Sequence, residues 1–180
     1  MSVVAVRVYD NKIEVSADSI IVCGDRKELF YGNHTKLNHI NDMIIGTSGT
    51  CEEGGLMWMY AKNHRPISAT DRDVLEFFVE FVNWKQSKSS SSNLNNSYIL
   101  VFDGKVFHIQ NYCVLEVDKY TAIGAGADYA LASLYLENSA EKSVKVACDL
   151  SCYVAEPIIT YTMDIDSKKI MKIPRMENKI

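Results

Sequence analysis

Along the first fifty residues, apolar and polar positions alternate in short runs broken by turn-forming pairs. "SVVAVRVY" and "KIEVSAD" are β-branched runs separated by Asp10-Asn11, whose residues tolerate positive φ. "SIIVCG" and "ELFYG" read as two further strands, and "TKLNHI" and "MIIGTSG" flank a second tip at Asn41-Asp42. The period then changes. Between Thr50 and His64, Leu56, Met57, Met59 and Tyr60 recur at helical spacing, with Thr50 as N-cap and Glu52 and Glu53 in the first turn, where the helix dipole favours anions. Met57, Trp58 and Met59 are expected to form an apolar face against a sheet or a neighbouring subunit.

After a loop carrying Pro66, a second helix is predicted from Asp71 through Val74, Leu75, Phe78 and Val82 to near Lys85. "SKSSSSNLNNS", residues 87–97, reads as a mobile polar loop rather than a domain boundary, because strand signals resume at once. "YILVFDGKVFHIQ" is a hairpin around Asp103-Gly104; "CVLEV" and "YTAIGAG" are two more strands. "ADYALASLYLEN" and "AEKSVKVACDLSCYVAE" predict two helices, and "IITYTMDIDSKKIMKI" a last hairpin with Asp166-Ser167 at its tip. Strands, two helices, strands, two helices and strands again, without a solenoid-length repeat, argue α+β layering rather than alternating βαβ units. Two antiparallel sheets stacked face to face, with a helix pair outside each, would bury every apolar face: a four-layer αββα sandwich in one domain, residues 1–180.

Composition narrows the chemistry. The chain has 180 residues, 47% hydrophobic and 23% charged, enough for a sizeable core. A net charge of −4 gives no footprint for nucleic acid, and Lys168, Lys169, Lys172, Arg175 and Lys179 are interspersed with Asp166 and Glu177 as a solvated tail. The N-terminus alternates where a signal peptide would be continuously apolar, and no run reaches membrane-spanning length. The five cysteines, Cys23, Cys51, Cys113, Cys148 and Cys152, contain no CxxC and are expected as reduced, mostly buried thiols in a cytoplasmic protein. Cys148 and Cys152, one helical turn apart, lack a nearby His to complete a metal site, so core packing is expected; His34, His39, His64 and His108 show no ligand spacing. No metal, cofactor or phosphate loop is expected.

Ser2 stands directly after Met1. Taken alone it begins a strand. With Met1 removed it would carry a hydroxyl and a free amine on one residue, and an amine with a reference pKa near 8 can accept the hydroxyl proton. Asp18, ending an apolar strand face, would alone cap a turn. Lys36, placed on a predicted strand, would alone face solvent. The order of four places makes a larger pattern: the hydroxyl residue before "VVAVRV", "SADS" after the second strand, "TKLNHINDMIIGTSGT" entering the first helix, and "IGAGADYA" entering the third.

That pattern resembles the proteasome β-type family of N-terminal nucleophile hydrolases, and within it the bacterial HslV peptidases, over residues 2–164. The resemblance implies Ser2 as nucleophile and base, an internal Asp18–Lys36 ion pair that tunes it, and a Gly46 N–H as oxyanion donor. It also implies homo-oligomeric rings, a polypeptide substrate and a hexameric unfoldase ATPase as partner. The chain departs from the family at three points. Ala125 replaces a serine between the glycines of "GAGA", Ser2 replaces the preferred threonine, and the late acid–serine pair is unmatched, with Glu156 nearby but in no motif. A catalytically silent shell subunit is the alternative, and a small-molecule amidohydrolase of the same superfamily a third reading.

Overall fold

The structure is a computed structural model that describes residues 1–23, 26–29 and 36–173. Among the described residues it contains twelve strands and four helices. The strands are β1 Val4–Val8, β2 Lys12–Ala17, β3 Ile20–Cys23, β4 Arg26–Leu29, β5 Leu37–Ile40 and β6 Met43–Ser48. After the first helix pair come β7 Ser97–Phe102, β8 Lys105–Gln110, β9 Cys113–Glu116 and β10 Tyr120–Ile123, and the chain closes with β11 Ile159–Asp164 and β12 Ile170–Ile173. The helices are α1 Cys51–Ala61, α2 Asp71–Gln86, α3 Ala127–Tyr135 and α4 Ala140–Leu150. One antiparallel sheet has the order β10-β1-β2-β11-β12, the other β5-β6-β7-β8-β9, and β3 and β4 form a separate ribbon.

Strand alternation sorts the apolar residues into three layers. In β1, Val4 and Val6 face the second sheet, while Val3, just before the strand, and Ala5 face α3 and α4. In β7, Ile99 and Val101 join the same inter-sheet core, while Tyr98, Leu100 and Phe102 pack under α1 and α2 with Phe77, Phe78 and Phe81. Both faces of both sheets are covered except at the edge strands β9 and β12, which are largely exposed. This is the expected αββα sandwich.

The hairpin tips stand where the turn pairs place them: Val8 pairs with Ile13, Ile40 with Met43 and Phe102 with Lys105. Asn41 and Asp103 take the positive φ that their short polar side chains tolerate. Thr50 caps α1 by accepting from the Glu53 N–H, and Thr70 and Ser139 do the same for α2 and α4.

Several expectations need correction. The fourth helix stops at Leu150, six residues before the predicted end at Glu156. Ser151 turns extended and the chain folds inward to bury Val154. Cys152 therefore leaves the helix and no longer lies a turn above Cys148. Cys51, Cys113 and Cys152 are exposed and Cys148 is half-buried, so the thiols are not mostly buried; the side chain of Cys23 lies outside the described residues. Met57, Trp58 and Met59 do not share a face: Met57 is core, Trp58 packs at its edge and Met59 is 53% exposed, as 100° per residue requires. The predicted strand "ELFYG" and His34 fall largely or wholly outside the described residues, as do Arg175, Glu177 and Lys179.

Candidate active site

The N-terminal stretch is held from both sides. The Val3 N–H donates to Asp18 Oδ1 at 2.8 Å, and the Asp18 N–H returns a bond to the Val3 carbonyl at 3.2 Å. On the other side, the Gly126 N–H donates to the Ser2 carbonyl at 3.1 Å. Gly124, at φ +97°, lets the "GAG" turn approach so closely that a Cβ there would lie 2.2 Å from the Ser2 carbonyl oxygen and 2.8 Å from Ser48 Oγ. Ser2 is buried, 4% exposed, and Met1 projects outward at 43%.

Lys36 lies one residue before β5 rather than on the strand. Its Nζ donates to Asp18 Oδ2 at 2.6 Å and to the Met1 carbonyl at 3.0 Å. Three of the sequence-predicted residues, Ser2, Asp18 and Lys36, therefore meet: Lys36 and Asp18 bond the two peptide units that flank Ser2. Burial pushes the Asp18 carboxyl up, against the pull of Lys36 and of the Val3 and Ile20 N–H groups. Burial likewise lowers the Lys36 ammonium, against the pull of Asp18. The pair is bonded, yet its surroundings oppose both charges.

Gly46, the fourth predicted residue, stands inside β6 rather than in the turn beyond it. The Thr47 N–H bonds the Lys36 carbonyl at 2.8 Å; by strand alternation the Gly46 N–H points the other way, toward its partner Ile99 in β7. Its missing side chain serves sheet stacking, since a Cβ would meet Val4 Cγ1 at 2.6 Å. The glycine of the strand-to-helix turn is Gly49, at φ +147°. Ala125 is exposed, and Glu156 pairs with Lys145 at 2.6 Å on the surface.

Sequence reasoning missed a second buried network beside this turn. Glu53 and Lys85 form an ion pair at 2.6 Å, 3% and 1% exposed. Glu53 also accepts from the Asn95 and Asn96 N–H groups and the Tyr98 hydroxyl, and Asn96 reaches on to Thr47 and Thr50. Lys85 was legible as an anomaly: it continues the apolar stripe Val74, Phe78, Phe81 at helical spacing. Cys148 was missed too. Burial first, then the charges of Asp18 and Glu156, push its thiol up to about 12, so at neutral pH it is an uncharged neighbour of the site. Among the described residues no cluster of His, Cys, Asp or Glu could hold a metal ion, and no helix is long and apolar enough to cross a membrane.

No family model matches the chain, and no curated protein matches it. Solved structures do. BPH of Thiobacillus denitrificans, in complex with epoxomicin, superposes with a TM-score of 0.83 at 17% identity, over 91% of this chain and 99% of that one. A eukaryotic HslV from Trypanosoma brucei gives 0.68 at 19% identity, over 90% and 99%. Anbu, described as an ancestral beta-subunit, from Yersinia bercovieri gives 0.71 at 14% identity, over 98% and 88%. The likeness carried by the four sequence motifs is thus matched in three dimensions: the chain has the proteasome β-type fold.

Proposed function

We propose that this chain is the subunit of a self-compartmentalising peptidase in which Ser2, once the Met1–Ser2 peptide bond is cut, hydrolyses peptide bonds. The observation that supports this most is Lys36, whose ammonium bridges the buried Asp18 carboxylate and the carbonyl of the bond that must be cut. With Met1 gone, the Ser2 amine takes the Ser2 hydroxyl proton, directly or through one water, as the oxygen attacks a substrate carbonyl. Lys36 lowers the energy of the alkoxide, and Asp18 orients Lys36 and the terminal residue. The oxyanion donor is the Gly49 N–H, next after Thr47 in the alternation that faces Lys36, aided by the positive end of α1. The tetrahedral species collapses, the leaving amine takes the proton from the Ser2 ammonium, and water then hydrolyses the Ser2 ester.

The subunits would close into homo-oligomeric rings, covering exposed apolar side chains such as Tyr135, Leu136 and Leu150 on the α3–α4 layer. A closed chamber would receive polypeptide from an unfoldase ATPase. The second reading, a silent shell subunit, is favoured by Ala125, where the resembled family has a serine.

Intact-mass spectrometry of protein from its native host, paired with hydrolysis of a fluorogenic peptide library, tests the proposal. Loss of Met1 and abolition of turnover by Ser2→Ala are expected. Uniform retention of Met1 would remove the base and leave the shell reading.

A further inference from the structure

We propose that Asn96 is a positioning residue for the β6–α1 turn, setting where the Gly49 N–H stands, and that the buried Glu53–Lys85 pair holds Asn96 in place. The catalytic half of this inference rests on the peptidase reading above; the positioning half does not.

Asn96 is 1% exposed, and its side-chain amide grips the turn on both sides of Gly49. Oδ1 accepts the Thr50 N–H at 2.7 Å, while Nδ2 donates to the Thr47 hydroxyl at 3.1 Å and to the Thr50 carbonyl at 2.9 Å. Only a primary amide offers an acceptor and a two-hydrogen donor on neighbouring atoms. The reverse assignment of its oxygen and nitrogen would set Nδ2 against the Thr50 N–H, so the network fixes the orientation.

Gly49 is matched to this partner. A Cβ at position 49 would lie 2.0 Å from Asn96 Oδ1 and 3.0 Å from Asn96 Cα. The amide therefore occupies the space that a side chain would need, and the φ of +147° excludes most other residues independently. Asn96 itself is held through its backbone, whose N–H donates to Glu53 Oε1 at 2.9 Å. Glu53 is held in turn by Lys85 at 2.6 Å and by the Tyr98 hydroxyl at 3.0 Å. Ser48, the residue before Gly49, packs across Gly124 from the Ser2 carbonyl. A chain of contacts thus runs from the core under α2 to the turn beside Ser2. A donor acts on a developing oxyanion only if it is aimed beforehand, and this arrangement supplies the aim.

The test compares Asn96→Ala and Asn96→Asp with Phe78→Leu, a core change chosen to match the thermal midpoint of Asn96→Ala. Each is assayed with Met1 removed, using the fluorogenic peptide library, and by amide hydrogen exchange over residues 47–51. Per folded molecule, Asn96→Ala should lower kcat roughly tenfold to a hundredfold with KM within about twofold, the signature of a contact felt in the transition state. Asn96→Asp keeps the acceptor for the Thr50 N–H and should recover part of the loss. Exchange over 47–51 should speed up in Asn96→Ala beyond that in Phe78→Leu. An unchanged kcat, a loss carried by KM alone, or exchange no faster than in Phe78→Leu would overturn the proposal. If the wild-type protein cleaves no library member, the peptidase reading and the catalytic half fall, and the exchange result still decides the positioning half.

Discussion

The molecule buries two lysine–carboxylate pairs of the same length, 2.6 Å each, and treats them differently. At Glu53–Lys85, burial by itself would raise the carboxyl, but bonds from Lys85, the Asn96 and Asn95 N–H groups and the Tyr98 hydroxyl outweigh it and leave Glu53 below its ordinary range. At Asp18–Lys36, burial wins: the acid is pushed up and the ammonium down. The first pair is a lock, with its charge saturated by donors. The second holds its charges against the environment, and its lysine also donates to the Met1 carbonyl. A buried ion pair is therefore not by itself a sign of chemistry; the balance between burial and hydrogen bonds to the charged form separates the two.

The comparison breaks most sharply at the lysines. Lys85→Met should leave Glu53 buried without its counter-ion and destabilise the fold by about 3–5 kcal/mol, read as a lower denaturant midpoint. Activity per folded molecule should fall no further than in Asn96→Ala, because Lys85 reaches the site only through Glu53 and Asn96. Lys36→Ala should do the reverse, lowering peptide hydrolysis roughly a thousandfold while the midpoint and assembly hardly move, since Asp18 can take up a proton once its partner is gone. Should Lys36→Ala unfold the chain, with activity tracking what remains folded, Lys36 is structural and the two pairs are alike.

A pH series sharpens the same contrast with a smaller effect. The depressed Glu53 adds stability that is complete above the ordinary carboxyl range and lost as pH falls through its lowered value. The advantage of wild type over Glu53→Gln should therefore shrink on acidification below about pH 4. The raised Asp18 has the opposite sign: its penalty is absent below the ordinary aspartate value and grows as pH rises through the raised one. The advantage of wild type over Asp18→Asn should grow between about pH 7 and pH 4. Thermal midpoints of the three proteins from about pH 7 down to about pH 2 give both slopes, and slopes of one sign would contradict the distinction. Smallest is Gly46→Ala, expected to cost about 1–3 kcal/mol by forcing a methyl against Val4 while leaving KM unchanged.

The contrast also marks what the sequence could reveal. Hairpin tips at Asn41-Asp42 and Asp103-Gly104, the Thr50 cap and the period changes are local signals, and local signals were enough for the layer order. The Asp18–Lys36 pair was legible only through the order of motifs around it. The Glu53–Lys85 pairing was not legible, because its partners lie 32 residues apart and Glu53 suits a helix start; Lys85 stands out only as a charge that continues the apolar stripe of α2. For the same reason "SKSSSSNLNNS" reads as a mobile loop, although Leu94 and Asn96 are buried and Lys85 donates to the Asn93 carbonyl. Composition records solvation preference, and a single buried carboxylate 43 residues earlier, on α1, can override it. Gly46 and Gly49 show the same limit, since spacing alone does not say which of two glycines lies between sheets and which turns the chain.

The alternation that splits β1 and β7 between layers also partitions the effects of substitution. Leu100 and Val101 are adjacent in the chain, yet Leu100 belongs to the layer under α1 and α2 and Val101 to the layer between the sheets. Volume lost at one is screened from the other by the sheet itself. Truncations of these two residues should combine close to additively, whereas Leu100 and Phe78, which share a layer, should show epistasis. The sandwich thus behaves as three weakly coupled compartments for mutation, and the layer beneath α1 and α2 can drift in sequence with little consequence for the walls around Ser2, provided Glu53, Lys85 and Asn96 stay together.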